Sequence, residues 1–288
     1  MKKTKREKNV LESLKENYDN LTGSQIAIGK YMMDHIEEVP FLSAIELGER
    51  AGFSDATIIR FARSIGYEGY SDLKNAIIAE TRQIATPDER VLKSLSDLEE
   101  SRDMGLQVAE RDLKNLQAFL LEISIEKMEK TVELIYASDT IYFIGLHDGA
   151  LAMDFLLMHM RRMGFKVVSI TEGGLENIEK LGAVHEGDLL IAGSFPRYSK
   201  TTINAARFAS EKGAAVISIT DSELSPIGMK SDIAFVVETD NTGFFNSHIV
   251  TLELCNILLI KLLDKNKEFV YGNLKETIEG LEMFDMYL

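Results

Sequence analysis

The sequence predicts two architectures on one chain: an all-α helix-turn-helix domain, then an α/β domain with a doubly wound parallel sheet of about five strands. Three observations carry that prediction. Residues 1 to about 84 show apolar spacing of helical period, with no run of β-branched residues long enough for a strand. From about residue 124 short, wholly apolar runs appear, "TIYFIG", "KVVSIT", "DLLIAG", "AAVISIT" and "IAFVVE", and helical stretches separate most of them. Strands without polar alternation are those buried on both faces, as parallel strands flanked by helices are. Finally, the helical stretches "HMRRMGF" and "ASEKGAA" end in the glycine that commonly stops a helix.

At 288 residues the chain has room for two domains of ordinary size. Hydrophobic residues make up 45 % of it and charged residues 27 %, the usual range for globular chains. The opening "MKKTKREKNVLESLKENY" is basic with no apolar stretch behind it, so no signal peptide is expected. The longest apolar-rich segment, "IVTLELCNILLIKLL", carries Glu253 and Lys261 and is too short and too charged to span a bilayer. The lone cysteine, Cys255, excludes an intrachain disulfide and a cysteine-rich zinc site. It suits a reducing cytosol, and a cytoplasmic location is expected. The net charge of −14 argues against nucleic acid only if it is spread evenly. Residues 1–83 hold 12 Lys and Arg against 13 Asp and Glu, so nearly all the excess belongs to the remainder of the chain. Local basic residues then decide whether the first domain can approach phosphates.

The first domain, residues 1–84, centres on "LSAIELGERAGFSDATIIRFARSIGYEGY". Ile58, Phe61, Ala62 and Ile65 recur at i, i+3, i+4 and i+7 and make one buried stripe. Thr57, Arg60 and Ser64 fall on the opposite face, with Ala56 and Arg63 flanking them. Ser54 stands where it caps the helix, and Gly66 follows the last buried residue. In the preceding helix Leu47 and Ala51 face inward, while Gly48 and Gly52 permit a close crossing and a reversal. A helix with Thr and two Arg outward, held by a glycine turn against a shorter helix, fits the major groove. It equally fits a helical pair inside any α-domain, with both arginines merely solvated. The basic tail Lys2, Lys3, Lys5, Arg6 and Lys8 adds phosphate contacts if the first reading holds.

Residues 85–122 are charge-rich and helical in period, and Pro87 marks a break and a new helix start; this is read as a helical linker. The α/β domain spans residues 123–288. Its first strand runs into "GLHDG", a turn holding Gly145, His147, Asp148 and Gly149 that opens a helix. Its third runs into "GSFPRYSKT", again opening a helix. Open parallel sheets bind ligands at the carboxyl ends of their strands, and helix N-termini offer free amides to anions. Ser194, Ser199 and Thr201 supply hydroxyls there, and Arg197 a planar fork suited to carboxylate or phosphate. The alternative is a capped turn in which Ser199 is only a helix cap and Arg197 a surface charge; Tyr198 either packs or binds.

These motifs carry a resemblance. "SDATIIRFARSIGYEGYSDLK" is similar to the S-A-T-I-x-R-F-x-R-x-x-G-Y-x-G-Y-x-x-L-K pattern of the MurR/RpiR family of bacterial transcription regulators, which residues about 10–80 resemble. Residues about 124–265 resemble that family's sugar isomerase (SIS) domain, which typically recognises phosphosugars. The resemblance implies a double-stranded DNA operator read by Ser54, Thr57, Arg60, Arg63 and Ser64. It also implies an effector held by Gly145, His147, Asp148, Gly149, Ser194, Arg197, Tyr198, Ser199 and Thr201. Two departures stand out. The common first loop is G-x-G-x-S, and here His147 replaces the second glycine and Gly149 the serine. The common second loop is S-x-S-G-x-T, and here it takes the S-F-x-R-Y-S form. One phosphate-cradling hydroxyl is therefore missing, and an arginine has been introduced.

His35, His147, His159, His185 and His248 are scattered without metal-type spacing; no metal or cofactor is expected, and His147 alone is singled out for its loop. No G-x-S-x-G elbow is present, and no base and acid stand out as a pair near the two loops. Glu253 is read as an exposed or salt-bridged position on an apolar helix rather than a catalytic group. The sequence thus predicts a non-enzymatic regulator that binds a small anionic sugar derivative and DNA as at least a homodimer, away from membranes. A sugar-phosphate isomerase with an added helical domain, and a non-catalytic scaffold that uses the sheet only to dimerise, are the alternatives.

Overall fold

The computed structural model describes residues 10–17, 20–35, 38–39, 42–81, 91, 103–223, 225–241 and 245–282. The basic residues of the N-terminal tail, most of the first half of the linker and the last six residues lie outside that set. The chain divides into two compact units, Met1–Ala85 and Thr86–Leu288.

The first unit is helical: α1 (Val10–Asn17), α2 (Gly23–Asp34), α3 (Ala44–Ala51), α4 (Asp55–Ser64) and α5 (Tyr70–Thr81). Local chemistry sets the starts. Thr22 with Gln25 and Ser43 with Glu46 form reciprocal capping boxes that satisfy otherwise orphaned amides of α2 and α3. Ser54 caps α4 by accepting from the Thr57 amide, as its position in the sequence predicts. Ile28, Met32, Leu47, Ile58, Phe61, Ile65 and Leu73 are fully buried and close the core. The turn between α3 and α4 reverses at Gly52, whose φ is 78°. A side chain at Gly48 would lie 2.5 Å from the Phe53 carbonyl oxygen. The close approach expected there is thus made by the turn's own backbone folding onto α3. Tyr70, buried, gives its hydroxyl to the Leu42 carbonyl at 3.0 Å, and burial first of all pushes that phenol up to about 12.

The second unit opens with α6 (Met104–Glu122) and α7 (Ile125–Ala137), then winds through β1 (Ile141–Gly145), α8 (Gly149–Arg162), β2 (Val167–Ile170), α9 (Leu175–Glu179), β3 (Leu189–Gly193), α10 (Lys200–Glu211), β4 (Ala215–Thr220), β5 (Ile233–Val236), α11 (Ile249–Lys265) and α12 (Lys267–Glu282). The five predicted strands form one parallel sheet in the order β2-β1-β3-β4-β5. Alternate residues of each strand face opposite ways. Ile141, Phe143, Leu189 and Ile191 join a core with α6, α7, α8 and α11, while Tyr142, Ile144, Leu190 and Ala192 join another with α10. Burial on both faces is why these strands read as unbroken apolar runs. Gly164 and Gly213, with φ of 95° and 83°, end α8 and α10 as predicted. Helix α6 packs into the second unit: Phe119 is in its core, and the Asn115 amide donates to the Asp240 carbonyl at 2.9 Å. Cys255 is buried on α11, and burial pushes its thiol up to about 12, which keeps it inert. Among the described residues no helix is long and apolar enough to cross a membrane, and no acidic or His/Cys cluster offers a metal site.

Candidate functional site

Two surfaces bear polar groups that the fold itself does not require. The first is helix α4. With Ile58, Phe61 and Ala62 turned into the core, Ala56, Arg60 and Arg63 are exposed and Thr57 and Ser64 half-buried. Ser54, Thr57 and Arg60 form a chain: the two hydroxyls lie 2.8 Å apart, and an Arg60 Nη donates to the Thr57 hydroxyl at 3.2 Å. Arg63 donates through Nε to the Glu68 carbonyl at 3.1 Å, leaving the rest of its fork outward. Ser64 gives its hydroxyl to the Phe61 carbonyl at 2.7 Å, so its polar atom is used within its own helix. The outward surface is therefore Thr57, Arg60 and Arg63, with Ser54 as cap and aligner.

The second surface lies at the carboxyl ends of β1 and β3, which are neighbours in register, Gly145 opposite Gly193. The helix after β1 packs on one face of the sheet and the helix after β3 on the other. This is the switch point at which a doubly wound sheet opens a crevice. Glycines bring the loops together. A side chain at Gly145 would lie 2.4 Å from the Gly149 carbonyl oxygen, and one at Gly149 would lie 2.5 Å from the Gly193 carbonyl oxygen. Gly145 and Gly149 thus seat the first turn of α8 against both strand ends. A serine at 149 has no room on this backbone, which gives the departure from the common loop pattern a steric reason.

Each loop holds one non-glycine residue at positive φ, His147 at 57° and Arg197 at 72°. No other non-glycine residue among those described does so, and such conformations, costing on the order of 1–3 kcal/mol each, concentrate at functional sites. Both side chains are exposed, and the Arg197 guanidinium makes no hydrogen bond or ion pair among the described residues. Ser194 is 4 % exposed, yet its hydroxyl has no hydrogen-bond partner. Ser199 caps α10 by accepting from the Thr202 amide at 3.3 Å. Thr201 is exposed in the first turn of that helix. Tyr198 is a tether: its hydroxyl lies 2.9 and 3.1 Å from the two carboxylate oxygens of Asp221, just after β4. Burial first, then the Asp221 charge, drives the Tyr198 phenol far above its usual range, so it stays a hydrogen-bond donor. Burial likewise raises the Asp221 carboxyl.

Sequence reading missed the third wall of the crevice. The segment entering α11 brings Asn246 and His248 to the first loop. Asn246 donates to Asp148 Oδ2 at 2.7 Å, and His248 Nε2 lies 3.4 Å from the same oxygen, ion-pair range rather than a well-formed hydrogen bond. The His248 ring stands edge-on to Phe195 of the second loop, centroids 4.9 Å apart. Burial alone would raise the Asp148 carboxyl. The hydrogen-bonding contacts of His248 and Asn246, the electrostatic attraction of His248 and the Gly149 amide outweigh it and hold the group below its usual range. The signal available in the sequence was the cluster "NSH" directly ahead of an apolar helix. An acid and an imidazole do meet at the loops, contrary to the expectation that no such pair stands there. Glu253, half-buried on α11, accepts from Asn256 at 3.3 Å.

A helix-turn-helix unit and a doubly wound sheet with a loop-built crevice at its switch point, on one chain, define a two-module regulator. Residues 8–83 match the helix-turn-helix domain of the rpiR family and residues 134–261 match the SIS domain. An HTH-type transcriptional regulator of Caldanaerobacter subterraneus is 25 % identical over 95 % of this chain and 97 % of its own length. Among solved structures, the sugar isomerase domain of an RpiR transcription factor from Sphaerobacter thermophilus is 28 % identical, with a TM-score of 0.60, covering 62 % of this chain and 99 % of that one. The Vibrio vulnificus NanR protein, solved in complex with ManNAc-6P, shares the fold at a TM-score of 0.55 and 23 % identity over 96 % of this chain and 99 % of its own. The chain belongs to the rpiR family of helix-turn-helix transcriptional regulators, with a SIS domain as its second module.

Proposed function

We propose that this regulator is controlled by one small anionic sugar derivative, a phosphosugar or a sugar acid, held in the crevice between the loops after β1 and β3. The observation that carries the reading is Arg197: a guanidinium with no partner among the described residues, on a backbone held at positive φ, in the same loop as a buried hydroxyl, that of Ser194, also without one there. A planar fork, hydroxyls and the free amides at the start of α10 are what a phosphate or carboxylate needs. His147, Asp148 and the α11 entry face the neutral part of the ligand. The relative solved with ManNAc-6P is in keeping with a phosphorylated sugar. Helix α4 enters the major groove of a pseudo-palindromic operator, with Thr57, Arg60 and Arg63 at base edges or phosphates, in a cytoplasmic protein that is at least a dimer. Most of the apolar face of α11 is consumed by its own core, and support for a dimer comes from Ile260, which that helix leaves exposed, and from exposed Tyr271 and Ile278 on α12. The leucines 106, 113 and 120 on α6, 59–66 % exposed at seven-residue spacing, add to it.

A gel shift on operator fragments selected from random duplex DNA, repeated with phosphosugars and sugar acids, tests this. One ligand should change DNA affinity in the wild type and have no effect in Arg197→Ala; no response from any anionic sugar in the wild type contradicts the reading. The Asp148–His248 pair favours a second reading, aldose–ketose isomerisation. Against it, the imidazole nitrogen nearest the carboxylate is buried against it rather than turned to a ligand. No turnover is expected, and interconversion abolished by a His248 or Glu253 substitution reverses that conclusion.

A further inference from the structure

We infer that Asp148 selects against effectors that carry a second negative charge, so the ligand has one anionic end and one uncharged, hydroxylated end. The inference rests on the crevice reading above and narrows its ligand class.

Asp148 is not a loose surface acid. Its Oδ2 is engaged by Asn246 at 2.7 Å and faced by His248 at 3.4 Å, while no side-chain hydrogen bond among the described residues reaches Oδ1. The side chain is 44 % exposed, so the carboxylate is within a ligand's reach. Its holders are themselves fixed. His248 is wedged edge-on against Phe195, and Ser247, between Asn246 and His248, donates to Asp112 of α6 at 2.6 Å. The carboxylate therefore cannot swing away from an unwelcome ligand without breaking the contacts that enter α11.

The two loops form a polarised pair. Arg197 offers a cation on the β3 side and makes no ion pair with Asp148 or any other described residue, so its charge stays available; Asp148 turns a net negative charge to a ligand when His248, 3.4 Å from Oδ2, is neutral. Because Gly145 and Gly193 are in register on adjacent strands, the loops start one strand spacing apart, about 4.8 Å. An ionised carboxylate only accepts hydrogen bonds. It welcomes the hydroxyls of a sugar and repels a carboxylate or second phosphate placed at the same end. At a separation of about 6 Å and an effective dielectric near 20, that repulsion is large enough to cost about tenfold or more in affinity.

The test is calorimetry with glucose 6-phosphate, 6-phosphogluconate and inorganic phosphate, the first two differing at the end away from the phosphate. The wild type should favour the neutral-ended sugar by about tenfold or more, and the ratio should narrow as salt is added. Asp148→Asn, which keeps the shape, should bring the ratio below about threefold by gaining affinity for 6-phosphogluconate, a gain that misfolding cannot mimic. A ratio that ignores both salt and the substitution, or a wild type that favours the acid, overturns the inference and leaves the anion site standing. Phosphate binding with no preference between the sugars does the same. Binding of none of the three probes overturns the crevice reading itself and the inference with it.

Discussion

Tyr198 and Asp148 both sit in the loops that the sequence marks as ligand-binding, and the structure gives each a local task. Tyr198 ties the second loop to Asp221. Tyr198→Phe leaves the half-buried Asp221 carboxylate with the Thr220 hydroxyl but without its tyrosine donor, and should cost roughly 1–3 kcal/mol in urea unfolding, because a hydrogen bond to a charged group is lost. An unchanged midpoint contradicts the tether. Asp148 is a depressed carboxyl, so its sign follows directly: its contribution to stability is complete above the unfolded value near 3.8 and is lost as pH falls through the lower folded value. Asp148→Asn should therefore flatten the acid limb of the stability curve relative to the wild type, and parallel limbs rule this out. Which oxygen of which acid meets which donor was not legible in the sequence. Asn246 and Asp148 are 98 residues apart, and only the closed sheet brings them together. Arg197 was legible because a polar cluster directly after an apolar run marks a strand end.

Helices and strands were read with more success, for a physical reason: their signals are local. The α4 stripe, its Ser54 cap and the glycine stops of α8 and α10 depend on residues a turn apart. The five strands announce themselves because both faces are covered. Close approach between elements is not local, and the roles of Gly48 and Gly149 emerged only in three dimensions. Gly149→Ser restores the common loop residue, yet its Cβ would stand 2.5 Å from a strand carbonyl. It should destabilise the second unit by about 1–3 kcal/mol through overpacking, with no gain in ligand affinity. A thermal scan showing equal stability, with tighter binding, sinks that account. On α4, Arg60→Ala should cost roughly 1–3 kcal/mol in operator binding and relax specificity at one base position, if Arg60 reads a base edge. Arg60→Ala and Arg63→Ala that both keep full affinity at low salt remove α4 from the interface.

At the scale of the whole molecule, the composition was a poor guide and the distribution a good one. A chain of net charge −14 belongs to a family of helix-turn-helix transcriptional regulators, and its first 83 residues are nearly balanced and place arginines on one helix face. Each phosphate contact adds to the salt dependence, so DNA binding should weaken as salt rises, with a slope that counts those contacts. The central claim is that the crevice and α4 are energetically linked, and linkage is reciprocal: the factor by which the effector changes operator affinity is the factor by which operator changes effector affinity. The most direct measurement is the effector Kd, by calorimetry, with and without saturating operator duplex. The account predicts that the two values differ by the same factor that the effector imposes on the operator Kd, about 5- to 150-fold for ordinary coupling. Equal effector affinity in the free and the DNA-bound protein contradicts it.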